Sequence, residues 1–266
     1  MVVDVGEGSN FVLYLVSDAD FTAMSSDALS VSHPLLSGEF RAQTLTSFGD
    51  SSLNAPAVFT SVAFDPTSNG PVASIGQVTP NGTGSANLVL DINDAGTFVA
   101  LQSTAMTYSV SPNGRTATTG FTHSPVFYLV NANQGFFVGT DPIASAGQFE
   151  PQTGGPFNNG SLNGTYCYGT DGAAIGSRLT AVGAVNFDGD KNDQATEDDS
   201  SPAGLAPNLP LSNTQYSFSS TSSTPGRGTL DAQGKNGGLH HLADKTGLYQ
   251  HAGDQAESSN SREINW

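Results

Sequence analysis

The sequence predicts an all-β fold: an antiparallel meander closing as an up-and-down barrel, with a β-sandwich as the alternative. Three observations carry this. Pro80-Asn81-Gly82, Asn93-Asp94-Ala95-Gly96, Pro112-Asn113-Gly114 and Asn131-Ala132-Asn133-Gln134-Gly135 are hairpin signals, rich in residues that accept positive φ. Met106, Tyr108 and Val110 alternate with Thr107, Ser109 and Ser111, the period of a strand with one buried face. The stretch from Ala55 to Pro151 shows no helical period of apolar residues. Short strands joined by tight turns build barrels or sandwiches.

The candidate strands run in order over 57–64, 72–79, 84–91, 97–102, 105–111, 114–121, 125–131, 134–140 and 145–151. The apolar runs at 11–16 and 126–130, and Phe136 to Val138, are too continuous for a strand with one wet face. They read as central strands, covered on both sides or lying where two units meet. Phe127, Leu129, Phe136 and Val138 are the candidate core, each contributing about 1.5–3 kcal/mol if buried.

The unit has a length because the chain matches itself. Ser37 to Asn54 returns at Ala146 to Asn163 with 8 identities in 18 positions, without a gap, at an offset of 109. Gly38, Phe40, Gln43, Thr44, Phe48, Ser52, Leu53 and Asn54 reappear as Gly147, Phe149, Gln152, Thr153, Phe157, Ser161, Leu162 and Asn163. Val12, Tyr14, Leu15 and Val16 reappear as Val126, Tyr128, Leu129 and Val130. Downstream, Ser74 to Val78 aligns with Ala181 to Val185, Asn81-Gly82 with Asp188-Gly189, and Tyr108 with Tyr216. A self-match at near-constant spacing marks a unit of folding, here a repeat of about 109 residues.

Four segments follow. Residues 1–53 are the C-terminal part of one copy, 54–162 a complete copy, 163–230 the N-terminal part of a third, and 231–266 a polar tail of different composition, expected to be disordered. An unfinished sheet exposes its edges. The two partial copies are therefore either frayed ends of an array or partners that pair across the chain, since together they supply nearly one full set of strands.

Composition narrows the function. There are 24 acidic and 8 basic residues, a net charge of -16, yet only 12% of residues are charged. A duplex nucleic-acid binder needs a basic face, so no nucleic-acid partner is expected. No run of 18 apolar residues is present, so no helical membrane span is expected. Cys167 is the only cysteine; in Gly164 to Gly169 it reads as a small core residue. The N-terminus lacks a basic n-region and a small-residue cleavage site, so an export signal is expected outside this chain.

The acidic stretch Asp188 to Asp199 is the one candidate metal site. Asp188, Asp190, Asn192 and Asp199 fall at positions 1, 3, 5 and 12 of a calcium loop, and Ca2+ takes six to eight oxygens from such a loop. Asp193 stands where the loop wants Gly, and Asp199 where it wants Glu, so an acidic hairpin turn is the competing reading. His240, His241 and His251 read as solvated tail residues, and His33 and His123 lack acids or cysteines at ligand spacing. Asp18 with Asp20, and Asp91 with Asp94, are the carboxylate pairs a glycosidase would need; near strand ends they read more simply as turn caps. No nucleophile elbow, phosphate loop, dinucleotide fingerprint or zinc spacing occurs.

Leu162 to Tyr166, Ala181 to Asp190, Tyr108 to Thr118, Val126 to Asp141 and Gly147 to Gln152 together resemble an uncharacterised β-rich repeat of predicted exported proteins of soil bacteria, of the Acidobacteria type. The resemblance covers most of residues 10–230. It implies an extracellular or cell-surface setting and carries no catalytic residue or cofactor. The expected function is a structural or adhesive module whose partners are a surface polymer or neighbouring repeats. The alternatives are a barrel binding a small apolar or sugar ligand, and a carbohydrate-active enzyme.

Overall fold

The structure, a computed structural model, describes residues 10–30, 35–174, 177–218 and 224–234. The described residues form three antiparallel sheets in chain order. Strands β1 (Phe11–Leu15), β2 (Asp20–Ser25) and β3 (Ser37–Arg41) make the first. A closed barrel follows: β4 (Ala57–Asp65), β5 (Gly70–Pro80), β6 (Ser85–Asp94), β7 (Thr97–Val110), β8 (Arg115–Thr119), β9 (Val126–Asn131), β10 (Gln134–Val138) and β11 (Ala146–Pro151). Strands β12 (Asn163–Ala174), β13 (Ser177–Asp188), β14 (Asn192–Ser201), β15 (Gly204–Phe218) and β16 (Gly228–Gly234) make the last.

The barrel is up-and-down. Each strand pairs with its chain neighbour, and β11 closes on β4 with Phe149 opposite Phe59. Closure removes the free edges that a flat sheet would present. The interior is filled by Phe59, Val78, Met106, Tyr108, Leu129 and Phe149. Phe127 packs edge-on to Phe149 at 5.6 Å, and Phe59 edge-on to Phe137 at 6.0 Å, a geometry that ring quadrupoles favour. Gly76 lies opposite Phe59, and a Cβ on it would stand 2.7 Å from that ring. The glycine leaves room for the ring to lie across its neighbouring strand. Gly183 does the same for Tyr168 in the last sheet, at 2.6 Å.

Several details differ from the sequence reading. The stretches 97–102 and 105–111 are one strand, because Gln102, Ser103 and Thr104 include no Gly, Pro, Asn or Asp. The irregularity is a bulge at Leu101, whose φ is 54° and whose amide donates to Asp91 Oδ1 at 2.8 Å. The apolar run on β10 keeps a two-residue period, whereas on β9 Leu129 and Val130 are both buried and on β1 Val12 to Leu15 are all exposed. Leu129 is buried and Phe137 packs inward, whereas Val138 is exposed and Phe136 faces outward beneath the Arg41 guanidinium at 5.6 Å. A register shift between Gln134 and Gly135 sets that phase. Cys167 is exposed, since strand alternation turns Tyr166 and Tyr168 to the other face.

The first and last sheets do not pair with each other, so closure within one chain is not what the structure contains. Tyr14 lies opposite Thr22 as Tyr128 lies opposite Phe136. Tyr128 has strands on both flanks, opposite Arg115 and Phe136; Tyr14 has only Thr22 beside it and is 72% exposed. Strand β16 runs four residues past 230, and the rest of the tail, with His240, His241 and His251, lies outside the described residues, as does His33.

Candidate functional site: two junction latches

Between β3 and β4 the chain crosses the barrel end and locks onto the β7–β8 turn. Gln43 Nε2 donates to the carbonyls of Leu129 at 2.7 Å and Asn113 at 3.0 Å. The Phe48 ring is buried, and its amide donates to the Pro112 carbonyl at 3.1 Å. A single 3-10 turn, Asp50–Ser52, follows; Ser52 Oγ accepts the Gly49 amide at 3.2 Å. Asp50 Oδ1 accepts the Val110 amide at 2.7 Å, and Tyr108 donates its hydroxyl proton to the Leu53 carbonyl at 2.8 Å. These bonds satisfy backbone groups at the end of β7, in the β7–β8 turn, on β9 and in the linker itself.

The same construction joins β11 to β12. Gln152 Nε2 donates to the Pro225 carbonyl at 2.8 Å. A second 3-10 turn, Asn159–Ser161, has Ser161 Oγ accepting the Asn158 amide at 3.0 Å. Asn159 Oδ1 accepts the Phe218 amide at 2.9 Å, and Tyr216 donates its hydroxyl proton to the carbonyls of Leu162 and Asn159, both at 3.1 Å. Gly114 (φ 83°) and Gly226 (φ 83°) occupy the same place in the two latches. A Cβ on Gly114 would meet Gln43 at 2.8 Å and Phe48 at 3.3 Å; on Gly226 it would meet Gln152 at 2.5 Å and Phe157 at 3.1 Å. Positive φ and close approach both call for glycine there.

Ion pairs tie the flanking sheets to the barrel at separate points. Arg41 Nη1 donates to Glu150 Oε1 on β11, and Glu150 Oε2 accepts from Gln134 Nε2 at 2.6 Å. The Glu150 hydrogen bond, ahead of other influences, raises the Arg41 pKa. Arg227 grips Asp91 on β6 with both arms of its guanidinium, Nε to Oδ2 at 2.8 Å and Nη2 to Oδ1 at 3.1 Å. The forked geometry suits a carboxylate. Gln77 on β5 also donates to Gln152 Oε1 and, at 3.3 Å, to the Pro225 carbonyl.

Cavities are small or featureless. The barrel encloses a void of about 20 Å3 among Leu53, Val78, Met106, Phe127 and Phe149. An open groove of about 320 Å3 is lined by Thr79, Asn87, Ala105, Thr107 and Thr119, and by no ionisable side chain. Three of the four paired carboxylates make structural bonds: Asp91 holds Arg227, Asp94 accepts from Ser68 Oγ at 3.1 Å, and Asp20 accepts from Ser17 Oγ at 3.1 Å.

Of the calcium-loop residues, Asp188, Asp190 and Asn192 share one turn, and Asp199 does not join them. Asp188 opens the β13–β14 turn, where its Oδ1 accepts the amides of Asp190 at 2.7 Å and Asn192 at 3.0 Å, and its Oδ2 accepts Asn192 Nδ2 at 2.8 Å. Those bonds, the Asn192 side chain first, hold the Asp188 carboxyl below its ordinary pKa. Asn81 Oδ1 makes the same turn between β5 and β6, accepting the Thr83 amide at 2.9 Å and the Ser85 amide at 3.0 Å. Asp199 sits on β14 opposite Ala181, six residues beyond Asp193, which is about 20 Å along an extended strand. Among the described residues, no group of three or more His, Cys, Asp or Glu side chains is placed to hold a metal ion.

Gln43, Phe48, Gln152 and Phe157 were visible in the sequence as identities of the self-match, without a role. Their signal was a gap-free match across a stretch with no strand pattern, where a shared surface contact is the simplest reason for identity. Asp50 and Asn159 do the same work with different residues and left no signal. No family model, curated protein or solved structure matches the chain.

Proposed function

We propose that the chain is a structural or adhesive module of an exported or cell-surface bacterial protein, built of β-units held end to end in an array. The observation that carries this is the junction latch made twice, with Gln43, Phe48, Gly114 and Tyr108 in one and Gln152, Phe157, Gly226 and Tyr216 in the other. A joint that rebuilds the same backbone contacts has the geometry of a head-to-tail array, with each unit contacting its neighbours. The filled barrel favours this over ligand carriage: its interior void is about 20 Å3, where a small-molecule site commonly needs about 300–1,000 Å3, and the groove of about 320 Å3 is open and carries no ionisable side chain. Few charges and many Ser, Thr and Asn residues suit an exposed surface whose partners are a polymer or further units.

The test is mechanical. Pulled between its ends in a single-molecule experiment, the chain should yield in separate steps, with the closed barrel resisting longest. Smooth extension at low force would overturn the structural reading. Released sugar in a polysaccharide screen would move the chain to the carbohydrate-active enzymes.

A further inference from the structure

In the barrel, strands β9, β10 and β11 are a three-stranded segment joined to β4–β8 along two seams. Strand β9 pairs with β8, and β11 with β4. The β1–β3 sheet has the sequence and pairing of that three-stranded segment: Leu13 lies opposite Ala23 as Phe127 lies opposite Phe137, and Ala23 opposite Gly38 as Phe137 opposite Gly147. The β12–β16 sheet has the pairing of β4–β8: Tyr168 is opposite Gly183 as Phe59 is opposite Gly76, and Gly183 opposite Glu197 as Gly76 is opposite Leu90. Three strands and five strands make the eight of the closed barrel.

Both sheets are open along the edges that form seams in the barrel. Among the described residues, neither β1 nor β3, and neither β12 nor β16, has a strand on its outer edge. On the face of β1–β3 that carries Leu13, Leu15, Phe21 and Phe40, Ala23 and Ser25 are buried, Leu13 and Leu15 are exposed, and Phe40 stacks on Phe21 at 4.5 Å with its own exposure still 36%. An unpaired strand edge is a template for any strand that fits it. Closure within one chain is opposed by the ion pairs. Arg41 pins β3 beside β11, Arg227 pins the start of β16 beside β6, and β6 stands three strands round the wall from β11.

We propose that the β1–β3 sheet of one molecule closes onto the β12–β16 sheet of a second copy of this chain, completing an intermolecular eight-stranded barrel with β3 against β12 and β1 against β16. The barrel's own seams give the register. Glu150 faces Val58 across the β11–β4 seam, and Phe149 faces Phe59. The corresponding residues place Arg41 against Cys167 and Phe40 against Tyr168 of the second copy. The two joined surfaces differ, so the contact is head-to-tail and propagates into filaments unless it closes as a ring. The inference rests on strand pairing and stands whether or not the module is adhesive.

The test uses the full chain and its native thiol. Arg41→Cys should form a disulfide with Cys167 of another molecule on mild oxidation, giving a ladder of multimers on a non-reducing gel that is lost when Cys167→Ser is added. Thr22→Cys, one strand further from Cys167, should give no ladder, since a disulfide bridges Cα atoms only within about 7 Å. The unmodified chain should show multimers that grow with concentration in sedimentation. Because Arg41→Cys also removes the ion pair to Glu150, cis and trans closure are separated in a chain that keeps it: Glu39→Cys with Gly169→Cys and Cys167→Ser, positions that the same register sets opposite one another. An intramolecular disulfide there would mean closure in cis and overturn the proposal. A folded, monomeric chain at high concentration would overturn it equally, whatever the cysteine variant does.

Discussion

Tyr108 reaches from the last turn of β7 to the Leu53 carbonyl, 2.8 Å away, and thereby ties the barrel wall to the segment that precedes the barrel in the chain. Both groups are withdrawn from water. Tyr108→Phe keeps the ring and leaves the carbonyl without its donor, so the barrel should lose about 1–3 kcal/mol. Urea denaturation followed by circular dichroism should show the midpoint fall with an unchanged slope. An unchanged midpoint would mean the latch contributes nothing to the fold.

Phe136 and Phe137 are neighbours with opposite fates. Phe137 packs against Phe59 and Phe127 inside the barrel, so Phe137→Ala should cost about 3–5 kcal/mol. Phe136 lies outside beneath Arg41, so Phe136→Ala should lose little more than that cation–π contact, about 0.5–1 kcal/mol. Paired denaturation curves decide this, and equal losses would contradict the strand phase.

Acidification should stabilise the β12–β16 sheet. Burial raises the Glu197 carboxyl pKa, with the Asp199 charge adding to it and the Tyr168 hydroxyl, 2.9 Å away, opposing it. Burial also raises Asp199, with Asp198 adding. A folded-state pKa above the unfolded one means the folded sheet binds the proton more tightly. The stabilisation is complete below the ordinary carboxyl range and is lost as pH rises through the raised values. Amide exchange on β13 and β14, corrected for intrinsic rates, should therefore slow as pH falls from neutral toward that range. Glu197→Gln should remove part of the effect. Slower exchange at neutral pH than in acid would reverse the sign and defeat the argument.

Calcium should not bind the Asp188 turn. The Asp188 oxygens are committed to Asp190 and Asn192, and Asp199 is far along β14. Titration with millimolar calcium in a calorimeter should give no heat beyond dilution. A saturable heat lost on Asp188→Asn would show that the turn opens to take the ion.

Local chemistry alone dictated the strand content, the turns at Asn81 and Asn113, and the buried alternation of Met106, Tyr108 and Val110, because each depends on residues a few positions apart. The self-match likewise singles out Gln43, Phe48, Gln152 and Phe157. Tertiary structure alone decided the rest: that β11 closes on β4 to make a barrel, that Phe137 and not Phe136 faces inward, that Cys167 is exposed, and that β1–β3 stands apart from β12–β16. These depend on register and on seams between distant strands. A shift of one residue exchanges the two faces of a strand without changing its composition, so no reading of composition and spacing could have chosen between them.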